Sequence, residues 1–225
     1  MAQRVYFKST PEDNRIFQEL SCEFKFFRGF SIKQKQLSIK SFHEQILANE
    51  ENARILEVST KSNNSLGVEL SAFNLKFWDK TLKREFPIEN VFQASKVFAQ
   101  GGPYKDLLYV HPRDAKRDER LKNSGELISF RLHDHTWKLE PKTVFYDWLY
   151  INALYSKNTL SKEIMDYNIF TDIEYNHKKS INCQARSAAI YVSLKLLNKL
   201  KDVICDSGKL YQWYDKSQFS QLTLL

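Results

Sequence analysis

Four polar residues recur along one otherwise apolar stretch, Pro87-Ile88-Glu89-Asn90-Val91-Phe92-Gln93-Ala94-Ser95-Lys96-Val97-Phe98. They are Glu89, Gln93, Lys96 and, one turn on, Gln100. At about 100° per residue they fall within a narrow arc of a helix. Val91, Ala94, Ser95 and Phe98 fill the opposite side, and Phe92 and Val97 flank the row. A carboxylate and an ammonium in such a row can break a bond. The carboxylate can hold a sugar hydroxyl or transfer a proton, and a desolvated lysine has a lowered pKa and becomes a nucleophile. The same row is also what a solvated helix face looks like. Glu89 and Lys96 stand seven apart, which is not the i+3 or i+4 spacing of a helix ion pair. Either the row lines a pocket or it faces water.

Other residues carry similar pairs of readings. Asp172 and Glu174 share a face if their segment is extended, as a second acidic pair or as a loop carboxylate capping the next helix. Gly101 and Gly102 either offer backbone N–H groups to a phosphate or simply end a helix before Pro103. His133-Asp134-His135 has two potential metal ligands and no evident third, so a polar turn is favoured and no metal is assigned. His43, His111 and His177 stand alone. The segment 24–35 interleaves aromatic residues with Lys25, Arg28, Lys33 and Lys35, a pattern of single-stranded nucleic acid binding and equally of rings packed inward with lysines in water. Lys116, Arg117 and Arg120, on a charged helix, are a second candidate for phosphates. No P-loop, G-x-G-x-x-G or G-x-S-x-G is present, so NTPase, Rossmann and α/β-hydrolase readings gain no support.

These residues need a scaffold. The chain has 225 residues, enough for a sizeable core, and only five prolines and six glycines, which points to an ordered globular protein. Thirty-four Lys and Arg face 27 Asp and Glu, a net charge of +7 that favours anionic partners. Three cysteines, none in C-x-x-C spacing, argue against a disulfide framework or structural zinc and fit a reducing cytosol. There is no signal-peptide pattern and no 18-residue apolar run, so the expectation is a cytoplasmic protein with no membrane partner.

Periodicity predicts a short strand at 4–7 and a helix over 31–49. It then predicts a strand at 54–59, a helix from 87 that continues past Lys96 to the Gly101-Gly102-Pro103 stop, and a charged helix at 112–121. A strand at 126–132 and helices near 141–155, 160–167 and 184–200 follow. The expected fold is α+β and predominantly helical, with 1–65 as an N-terminal strand/helix extension packed on a core at 66–225.

Three stretches together resemble the NADAR family of N-glycosidases that act on ribosyl groups. They are Leu70-Ser71-Ala72-Phe73-Asn74, the 87–98 segment and Ala115-Lys116-Arg117. In that family a small Ser-Asn-Phe-like loop precedes a helix of the type Glu-His-Tyr-Phe-Gln-Ala-x-Lys-Phe. Glu89, Phe92, Gln93, Ala94, Lys96 and Phe98 match it; Asn90 replaces the usual His and Val91 the usual Tyr. The resemblance covers roughly 66–200. Gly29 to Lys35, Thr171 to Asn176 and Ser180 to Ala185 resemble the long form, the NADAR antitoxins associated with DarT-type DNA ADP-ribosyltransferase toxins that modify guanine. The glycine-rich stretch of small NADAR proteins before the last helix is missing here.

The resemblance implies removal of ADP-ribose from guanine in DNA, with Glu89 and Lys96 as the chemical pair. Ser71, Asn74, Gln93, Gly101, Gly102, Asp172 and Glu174 would line the substrate, and Lys25, Arg28, Lys33, Lys35, Lys116 and Arg117 would face DNA. A cognate toxin is the implied protein partner, and no cofactor is required. Two routes stay open: exchange of a ring-opened imine onto Lys96, or direct hydrolysis with Glu89 orienting water. A small-molecule N-glycosidase of riboflavin-pathway intermediates and a non-catalytic basic antitoxin are the rival functions.

Overall fold

The computed structural model describes residues 1–176, 180 and 182–214. His177, Ile181 of the Ser180 to Ala185 segment and part of the stretch before the last helix lie outside these residues. The chain opens with a long hairpin, β1 (Ala2–Glu12) and β2 (Arg15–Phe24), paired antiparallel from Ala2↔Phe24 inward. Val5, Tyr6 and Phe7 are buried in succession, so β1 is covered on both faces. Tyr6 packs on α1 (Ile32–Asn49), whose Ile39, Phe42 and Ile46 make a single apolar stripe; Val5 and Phe7 face the main core. Ser31 starts α1 through a capping box with Gln34.

After β3 (Ile55–Glu57), Asn64 caps the short α2 (Ser65–Glu69). The hairpin β4 (Lys76–Asp79) and β5 (Arg84–Pro87) delivers the chain into α3 (Ile88–Ala94), all seven residues of which are buried. β6 (Lys96–Phe98), a 3-10 turn at Lys105–Tyr109, α4 (Pro112–Arg117) and α5 (Arg120–Asn123) follow. Next come β7 (Leu127–Leu132), β8 (His135–Trp137), α6 (Val144–Tyr155) and α7 (Asn158–Glu163). The last elements are β9 (Ile169–Thr171), α8 (Gln184–Leu196) and α9 (Leu200–Cys205).

Among the described residues there are three sheets, ordered β2-β1-β9-β3, β4-β5 and β6-β7-β8. The fold is therefore mixed helix and sheet, with helix still the larger share but more strand than the expected predominantly helical fold. β9 explains much of the difference. It pairs antiparallel with β1 and parallel with β3, so strands distant in sequence complete one sheet that no local window contains. α8 packs on that sheet and α6 packs on α8, with Tyr150 and Tyr191 fully buried.

A second correction concerns Lys96. The helix does not run on to Gln100 but stops at Ala94. The Ser95 hydroxyl donates to the Val91 carbonyl (2.7 Å), and the Ser95 carbonyl accepts from the Arg131 amide (2.7 Å). Lys96 then pairs with Phe130 on β7. Val97 and Phe98 suit a strand as well as a buried helix, and the neighbouring strand decides between them.

Candidate active site

A cleft of about 1150 Å³ opens where α3, α4, β7, the Ser71–Phe73 loop and the segment after β9 converge. That volume accommodates a ligand of dinucleotide size. Glu89, from the first turn of α3, lies in its wall at 6% exposure. Its amide donates to the Ala72 carbonyl (3.0 Å), which locks α3 to the Ser71 loop. That loop is held in turn by the Tyr150 hydroxyl on the Leu70 carbonyl (2.9 Å), and by Gln184 Oε1 accepting from the Ala72 amide (2.7 Å).

Gln93, one turn after Glu89, donates from Nε2 to Glu89 Oε1 (2.7 Å). This fixes the orientation of the Gln93 amide and leaves its Oε1 buried with no protein partner. An acceptor held in that way in a cleft wall is suited to a hydroxyl or N–H of a ligand. Lys116 reaches from α4 to within 4.0 Å of Glu89 Oε2, with its ammonium over the Phe73 ring at 5.5 Å.

Lys96 emerges from β6 into the same cleft, its ammonium 4.8 Å from the Phe92 ring centre. Burial pulls its pKa down to about 8, with Lys116 pushing the same way and Glu89 opposing. A lysine so placed is substantially neutral near pH 8 and available as a nucleophile. Asp172 lies in the cleft wall at 8% exposure, with Oδ1 accepting from the Glu174 amide (3.0 Å). Burial, then the nearby Glu57 carboxylate, raises its pKa to about 8. The cleft thus pairs a lysine that readily loses its proton with a carboxyl group that readily keeps one.

Ser71, Glu89, Gln93, Lys96, Lys116, Arg117, Asp172 and Glu174 all come together in this lining. Ser71 also serves its own turn, donating to the Val68 carbonyl (2.7 Å). Asn74 does the same with its side-chain amide (2.9 Å) and points away from the cleft. Gly101 and Gly102 lie behind the lining. Gly102 has φ +81°, and a Cβ there would overlap the Lys96 carbonyl oxygen. The Gly-Gly turn therefore backs the strand that carries Lys96.

Lys25, Arg28 and Lys33 are exposed beside the start of α1, outside the cleft lining. Lys35 joins that segment to the rim through its pair with Glu174 (3.0 Å). His133 and His135 flank the β7–β8 turn; His133 pairs with Asp79 (2.9 Å).

Sequence reasoning missed Lys61, Arg113, Lys122 and Lys142, which add to the cationic lining, as well as the cleft tyrosine Tyr146. They come from four separate segments, and no local pattern joins them. No helix among the described residues is long and apolar enough to cross a membrane.

A comparison with curated proteins returns no match. A family model described as the DarT1-associated NADAR antitoxin matches residues 2–223, essentially the whole chain including both walls of the cleft. The chain belongs to the NADAR-DarT1 antitoxin family.

Proposed function

We propose that this antitoxin is a DNA ADP-ribosyl glycohydrolase that frees ADP-ribose from guanine and so reverses the modification made by a DNA ADP-ribosyltransferase toxin. The observation that carries the reading is Lys96: an amine with its pKa lowered to about 8, beside Glu89 in a cleft lined by six further cations, Lys61, Arg113, Lys116, Arg117, Lys122 and Lys142. The cations suit a diphosphate and a DNA backbone. The lysine suits a ribose attached through an exocyclic amine.

Such a glycosylamine opens to an imine at C1. The neutral Lys96 amine adds to that carbon, and the lysine nitrogen then expels the base amine as its lone pair forms an iminium. Water hydrolyses the iminium, with Glu89 placed to accept the water proton and Gln93 holding the carboxylate in position. Gln93 Oε1 is free to accept a ribose hydroxyl. Lys25, Arg28, Lys33 and Lys35 would carry the flanking strand, with Phe26 and Phe27 already under cations in that segment.

The test is turnover of an oligonucleotide ADP-ribosylated at guanine, read by mass spectrometry, with and without borohydride. Wild type returns unmodified DNA and free ADP-ribose, and borohydride traps a protein–ribose adduct on Lys96. Folded Lys96→Ala and Glu89→Gln lose on the order of 10²- to 10⁴-fold in rate. An intact adduct with wild-type protein would sink the reading. Turnover without a borohydride adduct would leave the direct hydrolytic route.

A further inference from the structure

Behind the cleft wall lies a carboxylate that this reaction does not use. Glu57, at the end of β3, is 3% exposed. Its Oε1 accepts from the Ser59 hydroxyl (2.6 Å) and the Ile173 amide (2.8 Å), and its Oε2 accepts from the Thr171 hydroxyl (2.6 Å). Thr171 and Ile173 are the two neighbours of Asp172 in the chain. A single buried carboxylate therefore grips the chain immediately before and immediately after the cleft acid. The parallel β3–β9 register, with Glu57 opposite Thr171, makes this possible.

The grip is itself locked from the far side of the sheet. His43, on α1, has Nε2 2.8 Å from the Thr171 hydroxyl oxygen. A hydroxyl has one proton, and Thr171 gives it to Glu57; His43 therefore donates from Nε2 to Thr171. Burial lowers the His43 pKa to about 4, so the ring is neutral at pH 7. Ser59 is braced by donation from the Lys61 amide to its hydroxyl (3.1 Å).

We infer that Glu57 is a positioning residue that holds Asp172 in the cleft wall as the proton donor to the leaving base, with Thr171 and His43 fixing Glu57 in turn. The role of Asp172 rests on the glycosidase reading above; the grip on it does not. In the step where Lys96 expels the base, the bond electrons leave with the base nitrogen. That nitrogen takes the Asp172 proton and departs as a neutral amine, leaving Asp172 as a carboxylate that water reprotonates.

Two carboxyl groups this close do not both ionise readily. Burial raises Glu57 and its three donors oppose that, while Glu57 raises Asp172. The other groups around Asp172 are Glu174, which raises it, and Lys116 across the cleft, which lowers it. Among the described residues, Tyr146 and Tyr150 of α6, together with Tyr175 and Cys183, also lie around it, and burial keeps them neutral.

The experiment is a carboxyl-carbon NMR titration of Asp172 in the free, full-length protein, assigned with Asp172→Asn, for wild type and Glu57→Gln. The expected result is a wild-type midpoint near 8 that drops by about one pH unit or more in Glu57→Gln. The kcat of Glu57→Gln should then fall roughly tenfold at pH 8 and little at pH 6. A midpoint that does not move, or a rate loss that is uniform with pH, overturns the inference. If Glu57→Gln fails to fold, Ser59→Ala removes one donor from Glu57, and a smaller midpoint shift in the same direction is expected. No shift in that variant also overturns it. Since the titration needs no substrate, failure of the glycosidase reading leaves it valid. Turnover with an unmoved midpoint would discard only the role given to Glu57.

Discussion

At the scale of single residues, the proposed reaction would depend on two groups whose proton affinities burial has moved towards each other. Lys96 comes down to about 8 and Asp172 goes up to about 8. Attack needs neutral Lys96, which accumulates as pH rises through 8, and proton donation needs protonated Asp172, which is lost over the same range. The profile of kcat/KM should be a narrow bell with its maximum near pH 8, and a profile flat from about pH 6 to 10 would contradict the assignment. The same shift bears on stability. The folded Asp172 pKa lies above its ordinary 3.8, so the folded state binds more protons between those values, and its contribution to stability declines as pH rises towards 8. Asp172→Asn should remove that decline, and urea midpoints at pH 5 and 8 would show it.

At the scale of elements, the site depends on a helix that stops and a turn that fits behind the strand after it. Ser95 ends α3, and β6 presents Lys96 against Phe92. Gly102→Ala would force a side chain into positive φ and against the Lys96 carbonyl. A cost of about 1–3 kcal/mol is expected. Thermal melting would register it, together with a lower kcat and little change in DNA affinity, because the turn acts through Lys96 and not on substrate. A second element-scale device joins α6 to α8. Asp147, fully buried, accepts from Arg186 (3.0 Å), and it also accepts from the Ser187 and Tyr214 hydroxyls. Asp147→Ala removes a fully buried carboxylate from the pair with Arg186 and from the Ser187 and Tyr214 hydrogen bonds, and should cost about 3–5 kcal/mol in a denaturant titration. An unchanged midpoint would mean that the network contributes only packing.

At the scale of the whole molecule, the net charge of +7 resolves into a lined cleft and a second basic segment joined to its rim by the Lys35–Glu174 pair. If both touch DNA, affinity should fall steeply with salt. Lys116→Ala and Arg117→Ala should each lower the slope of log K against log salt by about 1. Salt-independent binding would place the substrate among small molecules instead. The N-terminal hairpin and α1 lie outside the cleft lining but brace the strand that leads into it. β1 pairs with β9, and His43 of α1 reaches Thr171 beside Asp172.

Local patterning along the chain already carries part of the site and one whole helix. Glu89 and Gln93 stand one helical turn apart, and that local geometry survives in the Gln93–Glu89 hydrogen bond. The stripe of Ile39, Phe42 and Ile46 specified α1, because periodicity is a property of neighbours along the chain. The 87–98 motif marked the family. The position of Lys96 is set by long-range pairing, since Val97 and Phe98 satisfy helix and strand alike and β7 selects the strand. Glu57 and His43 were illegible for the same reason. Their meaning comes from Thr171, more than a hundred residues away along the chain, and is set by sheet register and by the burial of a charge. Burial also sets the proton affinities of Lys96 and Asp172, and it exists only once the chain has closed around them.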